Sequence, residues 1–195
     1  MRYSTDIVVI DLEASSPPED EGNNSVERSN IIEIGAVRLD RRSLEVTGRF
    51  SELVRPADYP VTPFITGLTG ITPEMVAGRE AFDAVGRRFL QWYGPRNKAI
   101  IAAWGAYYDL PLLRKECARF ELPFREHIVG GAYDLRALGL AWLATHGYRT
   151  SAATLESVLR KMDLADRFTS HRAEDDARAA AAVLQMHHLG RALAG

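Results

Sequence analysis

Cysteine is nearly missing from this chain: Cys117 is the only one in 195 residues. One thiol builds neither a disulfide framework nor a cysteine-ligated zinc site, and it points to a reducing compartment. A basic excess is missing as well. Lys and Arg number 24 against 26 Asp and Glu, for a formal net charge of -2 and a pI near 6.2. A protein that grips long duplex DNA through many phosphates carries surplus positive charge. Any contact with nucleic acid is therefore expected to be short and local, with metal ions neutralising part of the phosphate charge. Long apolar runs are the third absence. The run from Ile7 to Ile10 is closed on both sides by Asp6 and Asp11, too short for a secretory leader, and no segment reaches transmembrane length. The expectation is a cytoplasmic, soluble chain with no membrane partner.

Apolar residues are 46% of the chain and charged residues 26%, with both signs interspersed. That composition suits one α/β domain over residues 1–195 around a single core. Residues 6–12 form a β-branched apolar run that ends at an acid and read as a buried strand. Residues 14–30 are polar, acidic and aperiodic, and are expected to form a flexible loop beside that strand. Residues 31–40 and 44–54 read as two more strands, a hairpin, followed by an irregular connection marked by Pro56, Pro60 and Pro63. Helical spacing at Phe82, Val85, Phe89 and Trp92 predicts a helix over 79–93, and residues 99–103 predict another buried strand. Helices are expected over 110–120, 135–145, 155–162 and 173–193. The order predicts a mixed central sheet flanked by helices.

Three places could carry chemistry. Asp11 and Glu13 lie two apart on the first strand, so their side chains share a face. Adjacent carboxylates repel unless a cation sits between them, and oxygen donors suit Mg²⁺ or Mn²⁺. Two solvated acids at a strand end are the competing reading. His171 and Asp176 lie in the word SHRAEDDA at the start of the last helix. An imidazole beside an acid suits general-base work, although acids also settle at helix N-termini for the dipole alone. Asp109 follows a buried strand and opens a helix, where a plain helix-start acid is the simpler reading.

Taken in order, Asp-x-Glu, a later Asp and His-x4-Asp resemble the DEDDh superfamily of 3′–5′ exonucleases, which spans RNase T, oligoribonuclease-like enzymes and polymerase proofreading subunits. The words DLEAS (11–15), FITGLTGIT (64–72), WGAYYD (104–109) and HRAEDDA (171–177) are most similar to the histone-mRNA 3′-end exonuclease group. The resemblance covers residue 6 to about 190 and implies an RNase H-like fold. It also implies Asp11, Glu13, Asp109 and Asp176 as ligands of two divalent cations, with His171 as general base. Asp175 stands beside Asp176, and the family spacing favours Asp176. Ala14 follows the Glu where many relatives have Thr, as in the histone-mRNA group.

The resemblance further places Phe64 and Tyr108 at aromatic positions that sandwich the terminal base, with Leu68 and Ile71 as an apolar wall. The Thr69-Gly70 turn is read as a close backbone approach to the ligand, and a backbone group near Glu13 or Ala14 as the partner of the 3′ hydroxyl. Core packing is the alternative for Phe64 and Tyr108. The implied activity is removal of nucleotides from a single-stranded RNA or DNA 3′ end to give nucleoside 5′-monophosphates, with two cations lowering the barrier to attack on an anion. Carboxylates beside the imidazole are expected to move the optimum to the alkaline side. A catalytically silent nucleic-acid-binding module and a two-metal phosphatase or endonuclease stay open beside this reading. RNA against DNA, and monomer against homodimer, are not decided by the residues.

Overall fold

The computed structural model describes residues 3–23, 25–151, 153–168 and 172–193, with side chains described as far as residue 188. Five strands form one mixed sheet. β1 (Asp6–Ser15), β2 (Asn30–Leu39) and β3 (Val46–Leu53) run as an antiparallel meander. β4 (Ala99–Ala103) then pairs parallel to β1, and β5 (Tyr133–Asp134) parallel to β4, so the spatial order is β3-β2-β1-β4-β5. This is the mixed α/β sheet that the apolar runs predict. β1 is the central strand, and Ile7 to Ile10 are almost completely inaccessible, as expected for a run flanked by strands and covered on both faces.

Helices close both faces. On one side lie α3 (Phe82–Tyr93), α4 (Asp109–Arg119) and α5 (Phe124–His127); their apolar residues pack on Val8, Ile10 and Leu12. On the other lie α6 (Leu135–Thr145) and α8 (Ala173–Leu193), packed on Ile7 and Val9, with α7 (Leu155–Lys161) outside them. Even and odd residues of β1 thus face different helical layers, as the period of a strand requires. Odd numbering also puts Asp11 and Glu13 on the face toward α8.

Two helices occupy the stretch expected to be irregular: α1 (Pro63–Thr69) and α2 (Pro73–Ala77). Each begins with Pro at its first position after a Thr whose hydroxyl caps the helix, through Ile65 and Met75 respectively. Thr-Pro at a helix start is preorganised, because proline fixes a helical φ and has no N–H to leave unpaired. Gly70 ends α1 at φ 70°. It is a left-handed C-cap.

Segment 14–30 also has more structure than its composition suggests. Ala14 and Ser15 belong to β1, Asn30 belongs to β2, and a 3₁₀ turn spans Pro18–Asp20. Arg28 pairs with Glu19 at 2.5 Å and Asp20 at 3.0 Å. Lys115 on α4 donates to the Val26 carbonyl at 3.2 Å and also to that of Ser29.

The close approach of α8 to the sheet rests on Gly35. A Cβ at this position would stand 2.0 Å from the carbonyl carbon of Ala173, a backbone atom with no freedom to yield. Gly35 is also the register partner of Asp11, so the contact lies directly beside the acids of β1. Gly35→Ala is expected to destabilise the fold by about 3 kcal/mol or more through overpacking; a urea unfolding midpoint equal to the wild type's would refute this account of the contact.

Candidate active site

β1 outruns its neighbour. Ile10 pairs with Ala103, the last residue of β4, so Asp11 is the first residue beyond the end of that pair. The chain turns away there through Trp104, which leaves the C-terminal end of β1 open on one side. Asp11 and Glu13 project from this end toward the first turns of α8. One carboxylate oxygen from each of Asp11, Glu13 and Asp176 lies within 4.8 Å of the others. Asp175 turns elsewhere and accepts from Arg178 at 2.7 Å. The geometry therefore selects Asp176 over Asp175, in line with the spacing from His171.

Asp109 enters from the first residue of α4. It is buried, and its Oδ1 accepts the Leu12 N–H at 3.1 Å. This bond ties the start of α4 to the strand between the two β1 acids. His171 lies outside the described residues.

Burial and mutual repulsion dominate the electrostatics. Burial, then the charges of Asp109, Glu13, Asp176 and Glu33, hold the Asp11 carboxyl well above the ordinary carboxylate range. Glu13 is pushed up to about 8, by burial first and then by Asp176, Glu33 and Asp109, with Arg172 opposing. Asp109 is pushed up to about 7 by burial, against the hydrogen bonds it accepts from backbone N–H groups. Left alone, such acids retain protons. An all-oxygen donor set in which Asp11, Glu13 and Asp109 resist ionisation fits a hard divalent cation, which lets them ionise together.

Glu33 was not foreseen from the sequence. It is the cross-strand partner of Glu13 and is 1% exposed. Arg172 donates to it through Nε at 3.2 Å and Nη2 at 2.6 Å, and the Ala173 N–H donates at 3.1 Å. This buried carboxylate thus fastens the first turn of α8 to β2. A single acid inside the apolar word IIEIGAV was the available signal, since a buried charge requires a partner.

Two cavities flank the carboxylates. One, of about 140 Å³, is lined by Leu12, Glu13, Ala14, Phe64, Leu68 and Tyr108, among others. Phe64 and Leu68 lie one turn apart on α1 and are 47% and 50% exposed, an unusual display of apolar surface. The Tyr108 hydroxyl donates to Ser29 at 3.2 Å, which sets the ring at the wall. Ile71 does not reach this cavity: it is fully buried beneath α1 and α2, and Ile65 takes the wall position expected for it. A β-bulge explains the arrangement. Glu13 pairs with Glu33 but Ala14 with Ile31, leaving Ile32 as the extra residue, and Ile32 packs beneath α1 with Ile65 and Ile71. The second cavity, of about 320 Å³, is lined by Asp11 and Asp176 on one side and by Trp104, Leu155, Leu159 and Phe168 on the other. A third cavity, of about 430 Å³ and rimmed by Arg96, Arg114 and Arg125, shares no residue with the acid cluster.

The chain belongs to the exonuclease family RNase_T, which it matches over residues 8–184. Among curated relatives it is 29% identical over 152 residues to the DNA polymerase III subunit epsilon of Treponema pallidum, covering 78% of this chain and 65% of the relative. It is 31% identical over 128 residues to the 3′-5′ exoribonuclease 1 of Rattus norvegicus, covering 63% of this chain and 36% of the relative. The chain therefore spans less than two thirds of the length of either. In fold it superposes on the nuclease domain of 3′hExo, a DEDDh family member bound to rAMP, with a TM-score of 0.79, 22% identity and coverage of 96% and 94% of the two chains. The RNase H-like exonuclease fold implied by the local words is the fold observed. Among the described residues no helix is long and apolar enough to cross a membrane.

The raised carboxyl groups dictate a sign. Their folded pKa values exceed the unfolded ones, so the metal-free fold binds extra protons and loses stability as pH rises from the ordinary carboxylate range to about 8. A divalent cation competes with those protons. Mg²⁺ or Mn²⁺ is expected to raise the melting temperature more at pH 8 than at pH 6. Asp11→Asn is expected to raise the metal-free melting temperature at pH 8 and to abolish most of the metal-induced shift. A metal response independent of pH and unaffected by Asp11→Asn would argue against this cluster as the cation site.

Proposed function

We propose that this chain is a metal-dependent 3′–5′ exonuclease, one domain over residues 1–195, acting in the cytoplasm on single-stranded RNA or DNA. The observation that carries the reading is the meeting of Asp11, Glu13 and Asp176 within 4.8 Å, in a chain of the exonuclease family, beside a cavity with exposed aromatic and aliphatic walls. Asp11, Glu13, Asp109 and Asp176 would hold two divalent cations, Mg²⁺ or Mn²⁺. Bound there, the cations supply Lewis-acid stabilisation of the charge that builds on the phosphate during attack.

The side chains do the rest. Phe64, Leu68 and Tyr108 hold the base of the terminal nucleotide; stacking on aromatics tolerates any base sequence. The binding of rAMP by a neighbour of the same fold supports a nucleotide as the occupant of this cavity. The backbone near Ala14 takes the 3′ hydroxyl, which selects a free 3′ end. His171 accepts the proton of the attacking water, so the rate rises with pH as the imidazole becomes neutral. The water oxygen bonds to phosphorus, the bond to the 3′ oxygen of the preceding nucleotide breaks, and a nucleoside 5′-monophosphate leaves. The protein acts as a monomer or homodimer.

With 5′-labelled single-stranded RNA and DNA and Mg²⁺, purified protein is expected to shorten the strand stepwise and release 5′-monophosphates. Asp11→Ala is expected to reduce this to background, and His171→Ala to slow it by about 10²–10⁴-fold, the usual range for a lost general base. Release unchanged in both variants would reveal a contaminating nuclease and defeat the reading. Inorganic phosphate or internal cuts would replace it with a phosphatase or an endonuclease.

A further inference from the structure

The cavity of about 430 Å³ at Arg96, Arg114 and Arg125 stands well away from the acid cluster. Arg96 lies just before β4, whereas the cluster lies beyond the far end of that strand, roughly 16 Å along it. α4 starts at the cluster with Asp109 and connects two parallel strands, so it runs back along the sheet and carries Arg114 toward Arg96. We propose that this cavity is a second phosphate-binding site, and that its ligand is a nucleotide, either free or as one unit of a strand. Neither the acid cluster nor its cations take part.

Charge sets the class of ligand. Three guanidinium groups meet here and no acid lines the wall. Arginines elsewhere, among them Arg28, Arg88, Arg119 and Arg172, are paired with carboxylates. Among the described residues, the side chains of Arg96, Arg114 and Arg125 form no ion pair and donate no hydrogen bond. The fold itself thus gives these three charges no partner, in a chain whose net charge is -2. A guanidinium fork matches a phosphate with two parallel hydrogen bonds, and several such forks suit a dianionic phosphate better than a single carboxylate. The floor sets the rest of the ligand. Phe124, Ile128 and the exposed Val129 make it apolar. Inorganic phosphate would leave that floor wet, whereas a ring carried on the phosphate covers it. The volume lies within the range of sites that take small organic ligands.

The backbone of the rim is fixed in advance. The Arg96 N–H donates to the Glu126 carbonyl at 3.0 Å, and His127 Nδ1 donates to the Gly94 carbonyl at 2.8 Å. These two bonds tie the segment before β4 to α5 and so set Arg96 against Arg125. The Arg114 guanidinium lies 5.6 Å from the centre of the Phe124 ring, which holds its charge above the floor. A rim already in position loses little freedom when a ligand arrives.

The test measures binding of 5′-AMP and of a 5′-labelled single-stranded oligonucleotide with EDTA present, so that no cation recruits phosphate to the acid cluster and no hydrolysis is needed for the readout. Three proteins are compared: the wild type, a cavity variant combining Arg96→Gln, Arg114→Gln and Arg125→Gln, and a control variant combining Arg42→Gln, Arg87→Gln and Arg149→Gln, which loses the same charge from exposed arginines outside the cavity. The cavity variant is expected to bind at least tenfold more weakly, and its plot of log K against log salt for the strand to be shallower by about 2, at ~0.7 per phosphate contact on a single strand. The control variant is expected to stay near the wild type. Weakened binding of 5′-AMP identifies a site for free nucleotide; weakened binding of the oligonucleotide alone identifies the strand as the source of the phosphate. A cavity variant that binds like the wild type or like the control variant overturns the site, as does a wild type that binds neither ligand. An oligo-glutamate peptide of the strand's charge that binds as tightly as the strand overturns the nucleotide in favour of an acidic protein segment.

Discussion

Carboxylates brought together at the end of a buried strand repel one another, and most of this molecule can be read as the means of holding them there. Asp11 and Glu13 share a face because strand geometry leaves no other choice. Asp176 is delivered by a separate helix, and Asp109 by a third element through its bond to Leu12 N–H. Asp11, Glu13 and Asp109 are each less acidic than in water. The fold has therefore spent stability on a site that becomes favourable only with a cation between the oxygens.

The helix that brings Asp176 is held by a small set of contacts with little slack. Gly35 removes the side chain that would keep α8 off the sheet. Glu33 receives the Arg172 guanidinium and the Ala173 N–H, so the start of α8 is fastened by a buried charge. The carbonyl of the same Arg172 accepts the Asp176 N–H at 2.9 Å. Arg172 thus links the carboxylate that anchors the helix to the residue that completes the cluster. It also opposes the rise in the Glu13 pKa. A site built this way is fastened on the α8 side and open beyond the end of β4.

Several elements were legible because their signals are local. The run from Ile7 to Ile10 is buried as expected, the period of Phe82, Val85 and Phe89 forms the inner face of α3, and the acids at 11 and 13 face the same way. The Thr-Pro words at 62–63 and 72–73 were equally local, but three prolines drew the reading to an irregular connection instead of two capped helices. Ile71 was misplaced for a different reason. Its position depends on the bulge at Ile32, which turns a whole apolar cluster beneath α1, and a bulge is a property of two strands together. Segment 14–30 looked featureless because its partners, Lys115 on α4 and Thr62 at the start of α1, lie far along the chain.

By itself the sequence determined which residues could ionise, which could be buried, and which pairs had to share a face. Asp-x-Glu at the end of an apolar run raised a cation site because side chains two apart on a strand share a face, and the family came from the resemblance of that word taken together with Asp109 and with His171 and Asp176. Tertiary structure decided what that pattern does not encode: that Glu33 lies opposite Glu13, that Gly35 admits a helix end, and that Asp176 and not Asp175 meets the cluster. It also decided that the cluster stands between two cavities. These are distances between segments far apart in the chain, set by strand register, by one bulge and by the packing of α8, and such distances exist only once the chain has closed on itself.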